Sequence, residues 1–458
     1  MLFHYLLNQI VSSYILSRMN RTGSFPPLRL TIVLALFVAV SGCGQSGQEV
    51  IFRCDGGWYM PPAFHGNPYV AGGDGTHMHF IWNRLFLFIP ATDEYIPRLG
   101  LSHSFSDDRK VLTIKLREGV VWHDGFPFTA RDVKTTFLVK YASGWGEAMQ
   151  IIEVPDDHTV VFKWRQPFGS IDEKIIFNER IMAPEHLYGT FARKAEKILV
   201  ASLNLPFFSH ELTAGDLKKR EEINMKKAGL MQEIYRFRPQ TPTGTGPFKF
   251  SFVSASDLGM KKFADSWEAK NISVDEVRLL KGAGNDMLWA FLISGEIDGS
   301  HPTTTQDVTE QILKLNPKIK LILAPEYGDI GFIINTTKPP MSDIVFRKAL
   351  AHAVDKDKVR MISYYYSSTG EPYSTGVIDS LSKKYLDPAM VEQMTAYEFS
   401  VIKARLMLEE AGYKKDDDGF YAMPDGTPIK LEIASVAGFS DWVLACESLS
   451  NQLEILGI

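Results

Sequence analysis

Cysteine is scarce in this chain of 458 residues: Cys43, Cys54 and Cys446 are the only three, and none belongs to a Cys-x-x-Cys pair. That excludes a disulfide scaffold and leaves no thiol pattern for a structural metal or redox centre. Charge of one sign is not in excess either. The 49 basic and 54 acidic residues are scattered without blocks and give a net charge of −5, so nothing marks a surface for nucleic acid. Gly-x-Ser-x-Gly and His-Glu-x-x-His do not occur, which removes two frequent hydrolase constellations and leaves the chain to be read as a non-enzyme. What is present is 45% apolar and 12% aromatic content, enough for two or three domains with their own cores and rich in flat side chains that suit a ligand cleft.

One apolar stretch stands out. After Leu30 runs Thr31 to Val40, uncharged, preceded by Arg21 and Arg29 and followed at once by Ser41-Gly42-Cys43. It has the three parts of an export signal and is about half as long as a membrane-spanning helix requires. Val40-Ser41-Gly42-Cys43 resembles the lipobox of bacterial lipoproteins, so residues 1–42 are read as a signal peptide, with a true start possible at Met19. Cys43 is then the lipidated residue, 43–48 a soft linker, and the chain is expected to be anchored to a membrane and to work in the periplasm or at the cell surface.

Beyond the linker, 49–53 reads as a strand and the Pro- and Gly-rich stretch 61–75 as a long loop. Residues 79–89 fit a strand or a short helix equally well. The alternating Val111 to Leu116, a turn at Glu118-Gly119, Val120 to His123 and the tight turn Asp124-Gly125 read together as a hairpin. Thr129 is placed as the N-cap of a helix, with Asp132 three residues on and Val133, Phe137 and Leu138 at helical spacing. The Lys- and Glu-rich segment Leu205 to Arg238 looks like an exposed helical excursion.

The segment Lys115 to Phe137 (KLREGVVWHDGFPFTARDVKTTF) closely resembles the signature of the family 5 extracellular solute-binding proteins, the group of oligopeptide- and dipeptide-binding proteins of ABC importers. Further landmarks follow in the family's order: Asp156 to Phe162, Ala183 to Leu187, Thr243 to Phe248, Ser294 to Asp298, Val345 to Asp355, Ala404 to Tyr413 and Met423 to Pro428. The resemblance implies an α/β, periplasmic-binding-protein-like fold of two lobes (type II, cluster C-like) with an extra small domain. It assigns 49–84 and 185–305 to lobe I, 85–184 to the small domain and 306–458 to lobe II. The last residues stop where the family pattern passes from a helix to another strand, so the C-terminus is expected to be truncated and lobe II incomplete. The implied role is capture of an oligopeptide-type solute and delivery to an ABC permease, by a monomer without cofactor. The other readings are an oligosaccharide (cellobiose-like) ligand, a nickel or metal-chelate ligand, a non-transport signalling lipoprotein and an exported hydrolase. The resemblance also implies that Cys54 and Cys446 sit on different lobes as free thiols.

Candidate ligand contacts are aromatic and amide side chains on loops that the family places between its lobes: Phe64, Asn67 and Tyr69; His301 and Thr303; Tyr327; Asp441 and Trp442. Asn67-Pro68-Tyr69 and Phe439 to Trp442 are similar to motifs of the oligosaccharide-binding branch. At each position, simple core packing is the competing reading. His77-x-His79 with Asp74 offers too few ligands for a metal site, and no metal is assigned. Gly244-Thr245-Gly246 is followed by Pro247 and reads as a turn into a strand, since it offers no helix N-terminus to a phosphate. His123 lacks a partner for acid–base work.

Overall fold

The computed structural model describes residues 49–57, 64–70, 75–89, 94–282, 284–323, 330–367, 373 and 386–458. Cys43, Asp74 and Tyr327 lie outside them. The chain divides into two compact units: one holds the described residues up to Gly282 together with Ile297–His301, the other Ala283–Glu296 and Pro302–Ile458.

Unit 1 is built on two four-stranded sheets and an antiparallel two-stranded ladder of Phe86–Ile89 with Glu94–Pro97. In chain order its elements are β1 (Ile51–Asp55), α1 (Met78–Ile81), β2 (Phe86–Ile89), β3 (Glu94–Pro97), β4 (Gly100–Phe105), β5 (Val111–Leu116), α2 (Ala130–Ala142), β6 (Met149–Asp156), β7 (Thr159–Trp164), α3 (Ser170–Phe177), α4 (Glu185–Ser202), α5 (Ala214–Arg236), β8 (Phe248–Val253), β9 (Asp257–Lys262) and β10 (Glu276–Leu280). One sheet runs β1-β10-β9-β8, with β1 parallel to β10 and the other pairs antiparallel. The second runs β4-β5-β7-β6 and is antiparallel throughout. Alternation sets the faces of β5: Leu112, Ile114 and Leu116 point into the core while Thr113 and Lys115 do not. They join Trp122, Phe137, Phe162, Trp164 and Phe177 in one hydrophobic core that continues to Val277 and Leu279 of the first sheet.

The segment read as a hairpin is arranged differently. Val111 to Leu116 pairs with β4 and β7, and Val120 to His123 is not its partner. Residues 120–128 instead close a small loop on themselves through a Val121–Pro127 bridge, with Asp124-Gly125 as its tight turn and Gly125 at φ 89°. The true partner β4 is polar (Gly-Leu-Ser-His-Ser-Phe) and largely exposed at the sheet's edge, which is why no apolar pattern announces it.

The capping expectation for α2 is met in full. The Thr129 side chain accepts from the backbone at the first turn, and the Asp132 carboxylate accepts from Thr129 N at 2.7 Å. The segment 205–238 contains a capped helix of 23 residues, α5, whose buried face is Ile223, Lys227, Leu230, Met231 and Ile234.

Gly244-Thr245-Gly246 is a packing seam. A Cβ on Gly244 would lie 1.9 Å from the Ile81 carbonyl oxygen and one on Gly246 2.2 Å from that of Phe80, so only glycine lets the strand pass α1 so closely. Buried His123 staples the seam: its Nε2 donates to Gly246 O at 2.9 Å and its Nδ1 accepts from Gly244 N at 3.3 Å. This uses the neutral ring, and burial lowers its pKa to about 4.

Unit 2 is helical: α6 (Asn285–Ser294), α7 (Gln306–Leu315), α8 (Ile344–Ala353), α9 (Lys356–Ser363), α10 (Pro388–Glu392), α11 (Val401–Glu410) and α12 (Ser440–Leu456), with one short ladder of β11 (Lys414–Lys415) and β12 (Tyr421–Ala422) before the last helix. Its core is Phe346, Ala349, Leu350, Ala404, Leu408, Tyr413, Tyr421, Leu453 and Leu456. Side-chain caps start four of these helices: Asp343 at α8, Asp355 at α9, Asp387 at α10 and Ser400 at α11. Tyr413 donates its hydroxyl to Asp343 at 2.7 Å, tying the end of α11 to the start of α8.

Both described cysteines are free thiols: Cys54 is buried in unit 1 and Cys446 is partly exposed in unit 2. Burial pushes the Cys54 thiol far up, so it is inert.

Candidate functional site

The start of α12 organises the best-formed candidate site, within unit 2. Phe439 and Trp442 stack with ring centroids 5.0 Å apart and an interplanar angle of 25°. Both are exposed, at 46% and 40%, although each is large and apolar. Between them in sequence, Asp441 is turned inward and only 3% exposed. Its Oδ1 accepts from Asn285 Nδ2 at 2.9 Å, and the same amide also donates to Ser440 Oγ at 3.1 Å. Asp441 Oδ2 is buried and finds no hydrogen-bond partner among the described residues.

Asn285 is held there by backbone. It opens α6, its N–H donates to the Gly438 carbonyl, and a Cβ on the preceding Gly284 would come within 2.9 Å of that same oxygen. The Tyr364 phenol stands beside the carboxylate. Its pKa is pushed up to about 12, first by burial and next by Asp441, while Thr303 and Trp442 beside it oppose the shift. Thr303 is fixed by its backbone carbonyl, which accepts from Trp289 Nε1 of α6 at 3.1 Å. Trp289 also lines an open groove with Gln306, Met361, Ile362 and Leu444. Chemically, this is an acceptor with spare capacity, a phenol held protonated, and a stacked aromatic platform open to solvent. Such a set recognises a polar ligand with a flat or ring face. It brings together three of the residues expected from the sequence, Thr303, Asp441 and Trp442. It adds Asn285 and Tyr364, which local sequence does not mark.

The unit 1 candidates are placed otherwise. Asn67 is 1% exposed, and its amide is consumed by the protein: Nδ2 donates to Ile234 O at 2.7 Å and Phe237 O at 3.1 Å, and Oδ1 accepts from Tyr69 N at 3.0 Å. It ties its loop to the end of α5. Phe64 stacks on Phe250 at 5.3 Å and meets the edge of His77 at 5.7 Å. Tyr69 packs edge-on against Tyr188 at 5.6 Å, and burial raises its phenol's pKa. His301 is exposed. His77 and His79 do not alternate on a strand: His77 stands at the position before α1 and His79 lies within it, with Arg180 Nη2 2.9 Å from its Nδ1. Among the described residues, no three His, Cys, Asp or Glu side chains gather as metal ligands, and no helix is long and apolar enough to cross a membrane.

Residues 94–458 match the model of the bacterial extracellular solute-binding proteins, family 5. A putative ABC transporter peptide-binding protein of Brucella ovis is 26% identical over 367 residues, covering 78% of this chain and 59% of that protein. The chain thus spans about three fifths of the length of that relative. The dipeptide-binding protein of Escherichia coli is 26% identical over 450 residues, covering 90% of this chain and 73% of that protein. Among solved structures, a mannohexaose-bound periplasmic oligopeptide-binding protein of Thermotoga maritima superimposes with a TM-score of 0.67 at 23% identity, over 90% of this chain and 71% of that one. At that identity the likeness speaks for the fold, a mixed α/β architecture of the two-lobed periplasmic-binding type.

Proposed function

The chain belongs to the bacterial extracellular solute-binding proteins of family 5, and from that premise we propose that it is a non-catalytic receptor that captures an oligopeptide-type solute outside the cytoplasmic membrane and delivers it to an ABC permease. The observation that carries this reading is Asp441: a buried carboxylate held on one oxygen by Asn285, its other oxygen without a close hydrogen-bond partner among the described residues and with only the Tyr364 phenol beside it, next to an exposed aromatic pair. A buried acceptor without a partner costs about 1–3 kcal/mol. A solute that donates a hydrogen bond or a positive charge to Oδ2 recovers that cost, while Trp442 and Phe439 cover its apolar part.

An oligosaccharide is the second reading, favoured by the stacked Phe439–Trp442 platform, which suits a sugar ring as well as a peptide side chain. The Thermotoga maritima protein of this fold holds mannohexaose. In either case Cys43 serves as the lipid attachment point that keeps the receptor near its permease.

Thermal-shift screening of the full chain against peptide and oligosaccharide panels separates the two readings. Ligand at a hundred times its Kd stabilises the folded state by about 2.7 kcal/mol. A rise in Tm confined to peptides supports the first reading and one confined to sugars the second. No response to either panel counts against both.

A further inference from the structure

In unit 1, far in sequence from the candidate solute site, the buried stripe of α5 contains one residue that breaks its apolar pattern. Ile223, Lys227, Leu230, Met231 and Ile234 share the covered face, and Lys227 is only 7% exposed. Its ammonium lies 3.8 Å from the centroid of the Tyr141 ring. It makes no hydrogen bond and has no carboxylate within 4.0 Å among the described residues. The face of an aromatic ring offsets part of the cost of burying a charge but accepts none of three N–H groups. Burial holds this ammonium's pKa below the ordinary lysine range.

The ammonium faces a cavity of about 50 Å³ that is also lined by Arg165, Arg220, Glu147 and Asn224. Arg220 is paired with Glu147 at 2.8 Å. Arg165 donates to the Leu205 carbonyl at 2.8 Å and stacks over Phe207, with no carboxylate in reach among the described residues. Three cations therefore share one carboxylate, and the excess positive charge faces a common space. One water needs roughly 10–15 Å³ of such volume, so the cavity takes something with the bulk of a few waters and excludes a nucleotide or a peptide.

We propose that this cavity binds one small free oxyanion, such as a carboxylate, sulfate or phosphate, between Lys227 and Arg165. The anion supplies the acceptors that Lys227 lacks and fastens α5 to Tyr141 of α2 and to the end of β7. The test is thermal unfolding and calorimetric titration of the full chain with inorganic phosphate and sulfate against chloride at matched ionic strength. Expected is a saturable rise in Tm at millimolar oxyanion that Lys227→Met, which keeps the apolar stem over Tyr141, abolishes. Sulfate and phosphate also stabilise proteins in general, by exclusion from the surface, but that effect does not saturate and is the same in the variant. A non-saturating rise shared by wild type and Lys227→Met overturns the proposal. Should Lys227→Met fail to fold, Arg165→Gln is titrated instead. A fall of at least tenfold in its phosphate affinity supports the site, and unchanged affinity or no binding in the wild type overturns it.

Discussion

The two units handle extended chain in opposite ways. In unit 1 the alternating segments find partners, and β4-β5-β7-β6 turns its apolar face onto one core. In unit 2 three strand-like runs, 319–323, 330–334 and 429–433, pair with no described strand. Most of their apolar residues stand in solvent, Leu323 at 61% and Ile333 fully, while Ile429 and Leu431 rest against the unit 2 core. The helices of unit 2 are nevertheless capped and packed around Phe346 and Leu408. A helix closes its backbone hydrogen bonds within itself, whereas a strand needs a neighbour to satisfy its N–H and C=O groups. The helices of unit 2 therefore need only their own caps and one shared core, while its strand-like runs, lacking a pairing neighbour among the described residues, stay open.

Deleting a ring from the complete core should have the largest effect on stability. Phe162→Ala is expected to cost about 3–5 kcal/mol, because the ring is fully buried among rigid neighbours that cannot collapse onto the void. Urea unfolding followed by circular dichroism measures it, and a cost under about 1 kcal/mol would mean that the core of unit 1 is no better formed than the exposed runs of unit 2.

Next in size is the pH response of the seam. His123 titrates near 4 in the folded chain and near 6.5 when unfolded, so the unfolded state takes up the proton first as acid is added. The stability it contributes is present above pH 6.5 and is lost as the pH falls toward 4, on the order of 3 kcal/mol in total. His123→Gln should be less stable at neutral pH and should flatten that slope between about pH 7 and pH 4. An unchanged slope would remove His123 from the account.

Thr129→Ala breaks the capping box of α2 and is expected to cost about 1 kcal/mol, read from the midpoint of the same urea transition. Smallest is Ile333→Ser, which touches an exposed run. It should move stability by no more than about 0.5 kcal/mol while lowering the binding of a hydrophobic dye. A large destabilisation there would show that the runs of unit 2 are partnered after all.

The contrast also explains what could be read from sequence. The caps, the Asp124-Gly125 turn and the helix in the 205–238 segment are local devices, and each lies where the residues put it. The neighbours of β5 were not legible, because β4 is a polar edge strand. Asp441 and Trp442 could be singled out as an acid and an aromatic on a loop before a helix. Asn285 and Tyr364 could not, since their roles depend on α6 and α9 reaching the start of α12, and nothing separates Tyr364 from Tyr365 and Tyr366 beside it. Asn67 illustrates the reverse: an amide beside aromatics looks like a ligand contact, yet the structure spends it on the carbonyls of Ile234 and Phe237.

The central claim is that this chain holds a solute through Asp441. Its most direct test is calorimetric titration of the full chain and of Asp441→Asn with whichever peptide or sugar raises Tm in the screen. The account expects the variant to fold with an unchanged circular dichroism spectrum and to bind at least tenfold more weakly, about 1.4 kcal/mol or more, as befits a hydrogen bond to a charged group. Equal affinity in the two proteins would contradict it.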